Sequence, residues 1–191
     1  MHDRILFDVD TQIDFLYPVG ALYVPGAERI IPNLAKLYAL GIPAMATADA
    51  HGDRDPEFAT WPPHCVSGTL GQKKPAETLR ADAMVIPNAP GNLPSGWQQA
   101  SQLIVEKQTL DVFETQTVER VLAGRAAKCY LLCGVVTEIC VIRAARGLLR
   151  RGHRVEIVTD AIAALTPEAG RCAVDELTAA GATLTTVAAL R

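Results

Sequence analysis

The sequence predicts an α/β fold, a three-layer, doubly wound, mainly parallel sheet with helices on both faces. Three observations lead there. Short apolar runs alternate with stretches of helical periodicity along the whole of the 191 residues. The run at 129–133, CYLLC, is apolar at every position, as a strand covered by helices above and below requires. Residues capable of chemistry follow several of these runs, and in open α/β sheets ligands bind beyond the carboxyl ends of the strands. The length suits one substantial core, so a single domain over 1–191 is expected.

Each element has its own justification. Residues 5–8 read as a first buried strand, and the polar cluster Asp10, Thr11, Gln12 and Asp14 follows it. Ile30, Leu34 and Leu37 give 27–40 helical spacing, and Gly41 stops that helix. Residues 43–48 form a second strand leading to Asp49. From 49 to 71 no period is sustained, and a loop this long inside a compact domain is usually functional. Short strands are expected at 84–86 and 103–105, then a helix through 118–122 and the strand at 129–133. Gly134, Val135 and Val136 turn the chain, Thr137 suits an N-cap, Glu138 suits the positive helix end, and Ile142, Ala145 and Leu149 share one face. A strand at 155–158 ending at Asp160, a helix at 171–180 closed by Gly181 and a strand at 183–187 complete the pattern, with right-handed crossovers.

Composition narrows the function. Hydrophobic residues make up 49% and aromatics 5%, which points to an interior rich in Ala, Val and Leu. The net charge of -3 gives no basic footprint for nucleic acid. No apolar run is long enough to span a bilayer, and the opening MHDRILFDVD passes into a strand without a signal peptide, so a cytoplasmic location is expected. Five cysteines without a CxxC pair indicate neither a disulfide framework nor a zinc ribbon, and Cys129 and Cys133 share a strand face where packing is their plainer role. No P-loop or GxGxxG fingerprint is present.

Cys140 is placed in the first turn after the 129–133 strand, where helix-end N–H groups and the dipole favour a thiolate and can hold an oxyanion. A buried cysteine is also an ordinary small hydrophobe. Asp10 and Lys107 stand at other strand ends; a carboxylate can take and return a thiol proton, and a lysine can hold that carboxylate ionised. Their plainer roles are a turn cap and a solvated charge. Asp49, His51, Glu57 and His64 gather in the irregular loop, a donor set that suits zinc, iron or manganese better than calcium or copper, although an acidic loop also serves solubility. Phe15 and Trp61 lie beside these clusters and either sandwich a flat ring or pack in the core.

DTQIDF at 10–15, ADAH at 48–51, WPPHCVSGT at 61–69, EKQTLDVF at 106–113 and GVVTEICV at 134–141 resemble, in order, the motifs of the isochorismatase-like cysteine hydrolases, and most of all the nicotinamidases. The resemblance implies Cys140 as nucleophile, Asp10 as general acid/base and Lys107 as stabilising cation. It implies Asp49, His51, Glu57 and His64 around one divalent ion, zinc ahead of iron or manganese, with Glu57 standing where many relatives have histidine. It implies Phe15, Trp61 and Val135 against the substrate, a cis Val135–Val136 peptide, and an oxyanion hole from the backbone N–H groups of Val136 and Cys140. Hydrolysis of a small pyridine carboxamide, nicotinamide, to the acid and ammonia through a thioester follows, in a chain that relatives suggest forms homo-oligomers. The alternatives are a metal-independent cysteine hydrolase of another amide or carbamoyl compound and a noncatalytic ligand-binding protein.

Overall fold

A computed structural model describes residues 2–190. Seven strands form one sheet: β1 His2–Val9, β2 Ala44–Asp49, β3 Met84–Ile86, β4 Gln102–Lys107, β5 Ala127–Val135, β6 Arg154–Ala163 and β7 Thr183–Thr185. Their order is β3-β4-β2-β1-β5-β6-β7 and every neighbouring pair is parallel. The chain order reverses around β1, which lies between β2 and β5, and a crevice opens at the carboxyl ends of strands at such a switch point.

The two-residue period of β1 divides the interior. Ile5, Phe7 and Val9 enter one apolar cluster with Val121 and Leu122 of α3 (Val118–Gly124), Ala144, Ala145 and Leu148 of α4 (Ile142–Arg150), and Ala173 and Leu177 of α5 (Pro167–Ala179). Leu6 enters the other, with Leu34 and Leu37 of the helix at Ile31–Ala39. Helices therefore cover both faces, as expected from the unbroken apolar run in β5.

Several boundaries differ from expectation for local reasons. A short helix, α1 Ile13–Leu16, follows the polar cluster after β1; it precedes α2 Ile31–Ala39 and is too short to show a period. The expected 27–40 helix starts as a 3-10 turn, Ala27–Ile30. α5 begins earlier than residue 171, because Thr166 caps it by accepting from the Ala169 N–H at 3.1 Å and Pro167 suits the first turn. β6 runs on past Asp160 to Ala163, while β7 ends at Thr185, short of residue 187. Thr137 is not an N-cap: Val136 holds that position, and the Thr137 hydroxyl instead donates to the Ala163 carbonyl at 2.9 Å, tying the turn after β5 to the end of β6.

Candidate active site and metal centre

Four adjacent strands deliver the sequence-derived residues to one place. Asp10 follows β1, Asp49 ends β2, Lys107 ends β4 and Cys140 lies in a five-residue π-helical turn, Thr137–Val141, after β5. Asp49 and Lys107 are register partners, so their side chains leave neighbouring strands at the same height. Lys107, 1% exposed, places Nζ 2.9 Å from Asp10 Oδ2 and also bonds Asp49 Oδ1. Thr47 donates its hydroxyl to Asp10 Oδ1 at 2.6 Å and accepts from the Asp10 N–H at 3.2 Å. Asp10 is thus held from both oxygens and from its backbone, with φ at 50°.

Burial governs the charges here. It raises the Asp10 carboxyl above its ordinary value, with Lys107 opposing. Burial also opposes the charge on Asp49, but Lys107 and His51 outweigh it and hold that carboxyl below the usual range. Lys107 itself is driven well above its ordinary value, because Asp10 and Asp49 overcome the cost of burying its ammonium. Cys140 reverses one expectation: burial pushes its thiol well above the ordinary value, and Lys107 does not compensate. The neighbouring carboxylates of Asp10 and Asp49 push the thiol the same way as burial does.

Asp49, His51 and His64 bring one donor atom each within 4.8 Å of one another, all buried. Asp49 Oδ2 lies 3.9 Å from His51 Nε2 and 4.0 Å from His64 Nε2, and Glu57 Oε1 lies 3.9 Å from His64 Nε2. These separations are too long for direct hydrogen bonds and leave room for an ion between the donors. The ring orientations suit that purpose. His64 Nδ1 donates to the Pro62 carbonyl at 2.8 Å, which leaves Nε2 as the lone-pair nitrogen, and His51 Nε2 is buried without a hydrogen-bond partner. His51 Nδ1 approaches Asp55 Oδ2 at 3.0 Å without the direction of a full hydrogen bond. Burial opposes charge on His51, yet Asp49 and Asp55 hold its pKa above the ordinary value. Burial followed by Asp49 likewise raises Glu57. The donor set fits a divalent metal.

A cleft of about 440 Å³ joins these groups. Its polar floor is Asp10, Asp49, Glu57, His64 and Cys140, Phe15 and Trp61 line it, and aliphatic walls come from Leu22, Val24, Leu110, Ile139 and Leu165. Val135 and Val136 also face it, and the peptide between them is cis. Every residue singled out in the sequence lies at or beside this cleft; His51 stands behind it, against His64 at a ring separation of 4.8 Å.

Residues 4–189 match the family model described as the isochorismatase domain. The chain belongs to that family. A curated relative, the nicotinamidase/pyrazinamidase of Mycobacterium tuberculosis, is 25% identical over 197 aligned residues, 95% of this chain and 97% of its own. The secreted isochorismatase effector Isc1 of Phytophthora sojae is 27% identical over 134 residues, 65% of this chain and 64% of its own length, so the match spans less than two thirds of that relative. Among solved structures, the pyrazinamidase of Pyrococcus horikoshii in complex with zinc is 29% identical with a TM-score of 0.76, covering 96% of this chain and 99% of that one. The N-carbamoylsarcosine amidase of Thermoplasma acidophilum is 25% identical with a TM-score of 0.75, covering 98% and 97%.

This isochorismatase domain also uses residues to which the sequence alone assigned no role. Thr47 binds Asp10, and only its place two residues before Asp49 on β2 signalled that both face the site. Gln12 donates to the Asp49 carbonyl at 2.8 Å and accepts from the Asp49 N–H at 2.7 Å. Asp55 caps the 3-10 turn Pro56–Ala59 through the Glu57 N–H while facing His51, so it sets two candidate ligands together; the DPE run at 55–57 was its signal. Phe58 packs against both His51 and His64 at ring separations of 5.4 and 5.8 Å. Among the described residues no helix is long and apolar enough to cross a membrane.

Proposed function

We propose that this isochorismatase domain, acting as one unit over residues 1–191, is a metal-dependent nicotinamidase of the cytoplasm that cleaves nicotinamide to nicotinate and ammonia. The observation that carries the reading is the charge of the cleft. Among the described residues its lining includes three carboxylates, Asp10, Asp49 and Glu57, and no arginine or lysine side chain. Beyond the one ion the metal ligands would hold, an anionic substrate, such as an N-carbamoyl amino acid or a dicarboxylate, calls for a guanidinium or ammonium of the chain to replace its hydration. A compact neutral aromatic amide needs only the apolar walls and the Phe15 and Trp61 rings. The relatives that act on nicotinamide or pyrazinamide and the neighbour crystallised with zinc point the same way.

Asp49, His51, Glu57 and His64 hold the divalent ion, zinc ahead of iron or manganese. When bound, that ion offers a Lewis-acid site to a ring nitrogen and so fixes the ring's orientation. The chain's own residues then perform the transfer. Asp10 takes the Cys140 Sγ proton as the sulfur attacks the carboxamide carbon, which avoids forming a free buried thiolate. The Val136 and Cys140 N–H groups receive the developing oxyanion. Asp10 returns the proton to nitrogen, ammonia leaves, and a thioester on Cys140 remains. Asp10 next removes a proton from water, hydroxide adds to the thioester carbon, and collapse releases the acid and restores the thiol. Lys107 keeps Asp10 ionised between the two halves.

The test is ammonia release by metal-loaded protein from nicotinamide and, in parallel, from N-carbamoylsarcosine. Turnover of nicotinamide with no measurable release from the anionic compound is expected. Preference for the anionic compound would overturn the reading.

A further inference from the structure

A second set of buried polar groups lies against the turn that carries Asp10, and amide hydrolysis as described does not use it. Asp8 and Lys74 are 0% and 7% exposed and meet at 2.9 Å. Lys74 Nζ also donates to Thr11 Oγ1 at 2.6 Å, and Thr11 donates to Asp8 Oδ2 at 2.9 Å. Tyr38 of α2 donates to the same Asp8 oxygen at 2.5 Å, while Asp8 Oδ1 is buried without a partner. Desolvation offsets most of the attraction within a buried ion pair, so stability alone is a weak reason for one.

The chain leading to Lys74 supplies a better reason. The consecutive carbonyls of Gly71, Gln72 and Lys73 accept from the Asp14 N–H at 3.1 Å, from Gln12 Nε2 at 2.7 Å and from the Ile13 N–H at 2.9 Å. Residues 71–74 therefore lie as a strap across the turn 10–14. Gln12 passes the same hold to Asp49, whose backbone it bonds in both directions. Asp10 adopts a left-handed conformation that a non-glycine residue keeps only where its surroundings over-determine it. Thr11, the next residue, is where the ion pair grips the turn.

We propose that Asp8 and Lys74 are positioning residues: their ion pair pins the strap, and the strap, through Thr11 and Gln12, fixes the direction in which Asp10 faces Cys140. Neither residue touches the substrate. The inference rests on Asp10 as the proton acceptor of Cys140, but not on nicotinamide as the substrate, so its test uses a readout that needs no turnover.

That readout is the alkylation rate of Cys140 by iodoacetamide, followed by mass spectrometry with the exposed Cys172 of the same molecule as internal reference. Lys74→Met strands the Asp8 carboxylate and should lose stability, so the decisive variants are the charge-free pair Asp8→Asn/Lys74→Met and the single Thr11→Val, which keeps the ion pair and removes its grip. We expect at least a tenfold slower Cys140 reaction in the pair and roughly three- to tenfold in Thr11→Val, with Cys172 unchanged and circular dichroism native. Wild-type Cys140 rates in Thr11→Val, or in a folded double variant, would overturn the proposal; if the double variant fails to fold, Thr11→Val decides alone. Strap-dependent alkylation in a protein that releases no ammonia from nicotinamide would remove that substrate and leave the strap standing.

Discussion

Asp10 and Asp49 share a single ammonium: Lys107 Nζ lies 2.9 Å from Asp10 Oδ2 and bonds Asp49 Oδ1, while the other Asp49 oxygen faces His51 and His64. The proton carrier and the metal ligands of the proposed reaction are therefore coupled through one buried side chain.

Lys107→Met should disturb both halves at once. It leaves two buried carboxylates facing each other without a cation, a loss of about 3–5 kcal/mol when one partner of a buried pair is removed. Thermal unfolding should report it, and isothermal titration of any surviving folded fraction should show altered zinc affinity. Wild-type metal affinity would mean that Asp49 binds independently of Lys107.

Acidity should reveal Asp10. It must be ionised to accept the thiol proton, so kcat/KM falls as pH drops through its pKa and recovers above it. Because burial raises that pKa, the acid limb is expected above the ordinary aspartate value of about 3.9. Asp10→Asn should lose the limb together with roughly 10²–10⁴ of the rate. A pH–rate profile in which the variant keeps the same limb would assign it to another group.

Cys140→Ala should release no ammonia yet still bind zinc and nicotinamide, since neither the metal ligands nor the Phe15 and Trp61 rings are altered. Titration calorimetry and an ammonia assay on one preparation would settle it. Residual turnover near the wild-type level would exclude the thioester.

Chelation should stop turnover and lower the melting temperature, and added ion should restore both. A ligand at one hundred times its dissociation constant stabilises the native state by about 2.7 kcal/mol, well within calorimetric reach. His64→Ala should abolish that metal-dependent gain while leaving the fold; an unchanged gain would place the ion elsewhere.

Gly71→Ala should be costly despite its small size. A Cβ there would meet the Asp14 carboxylate at 2.1 Å, and that carboxylate accepts from the Ala21 and Cys65 N–H groups at 2.9 and 2.7 Å. Overpacking costs about 1–3 kcal/mol, and chemical denaturation should show a loss of that order. An unchanged midpoint would mean that the strap yields freely.

Much of this was legible because the site sits where strands end. Asp10, Asp49 and Lys107 each follow an apolar run, and Cys140 follows the most apolar of all, so their convergence came from the fold class itself. The motif order then matched a family over nearly the whole chain. What stayed hidden was environment. The Cys140 thiol was expected to ionise at a helix end, but burial pushes its pKa up, and burial is not written in local sequence. Thr47, Gln12 and Asp8 are ordinary polar residues in or beside strands; their partners Asp10, Asp49 and Lys74 lie 37 to 66 residues away, beyond any periodicity.

The strand order has a consequence for how the molecule comes into being. β1 is flanked on one side by β2, made soon after it, and on the other by β5, made more than a hundred residues later. Until Ala127–Val135 leaves the ribosome, the newborn chain carries its carboxylates on an open, hydrogen-bond-hungry margin. Of the proposed triad the thiol is made last, so a fragment that stops short of Cys140 lacks the nucleophile altogether.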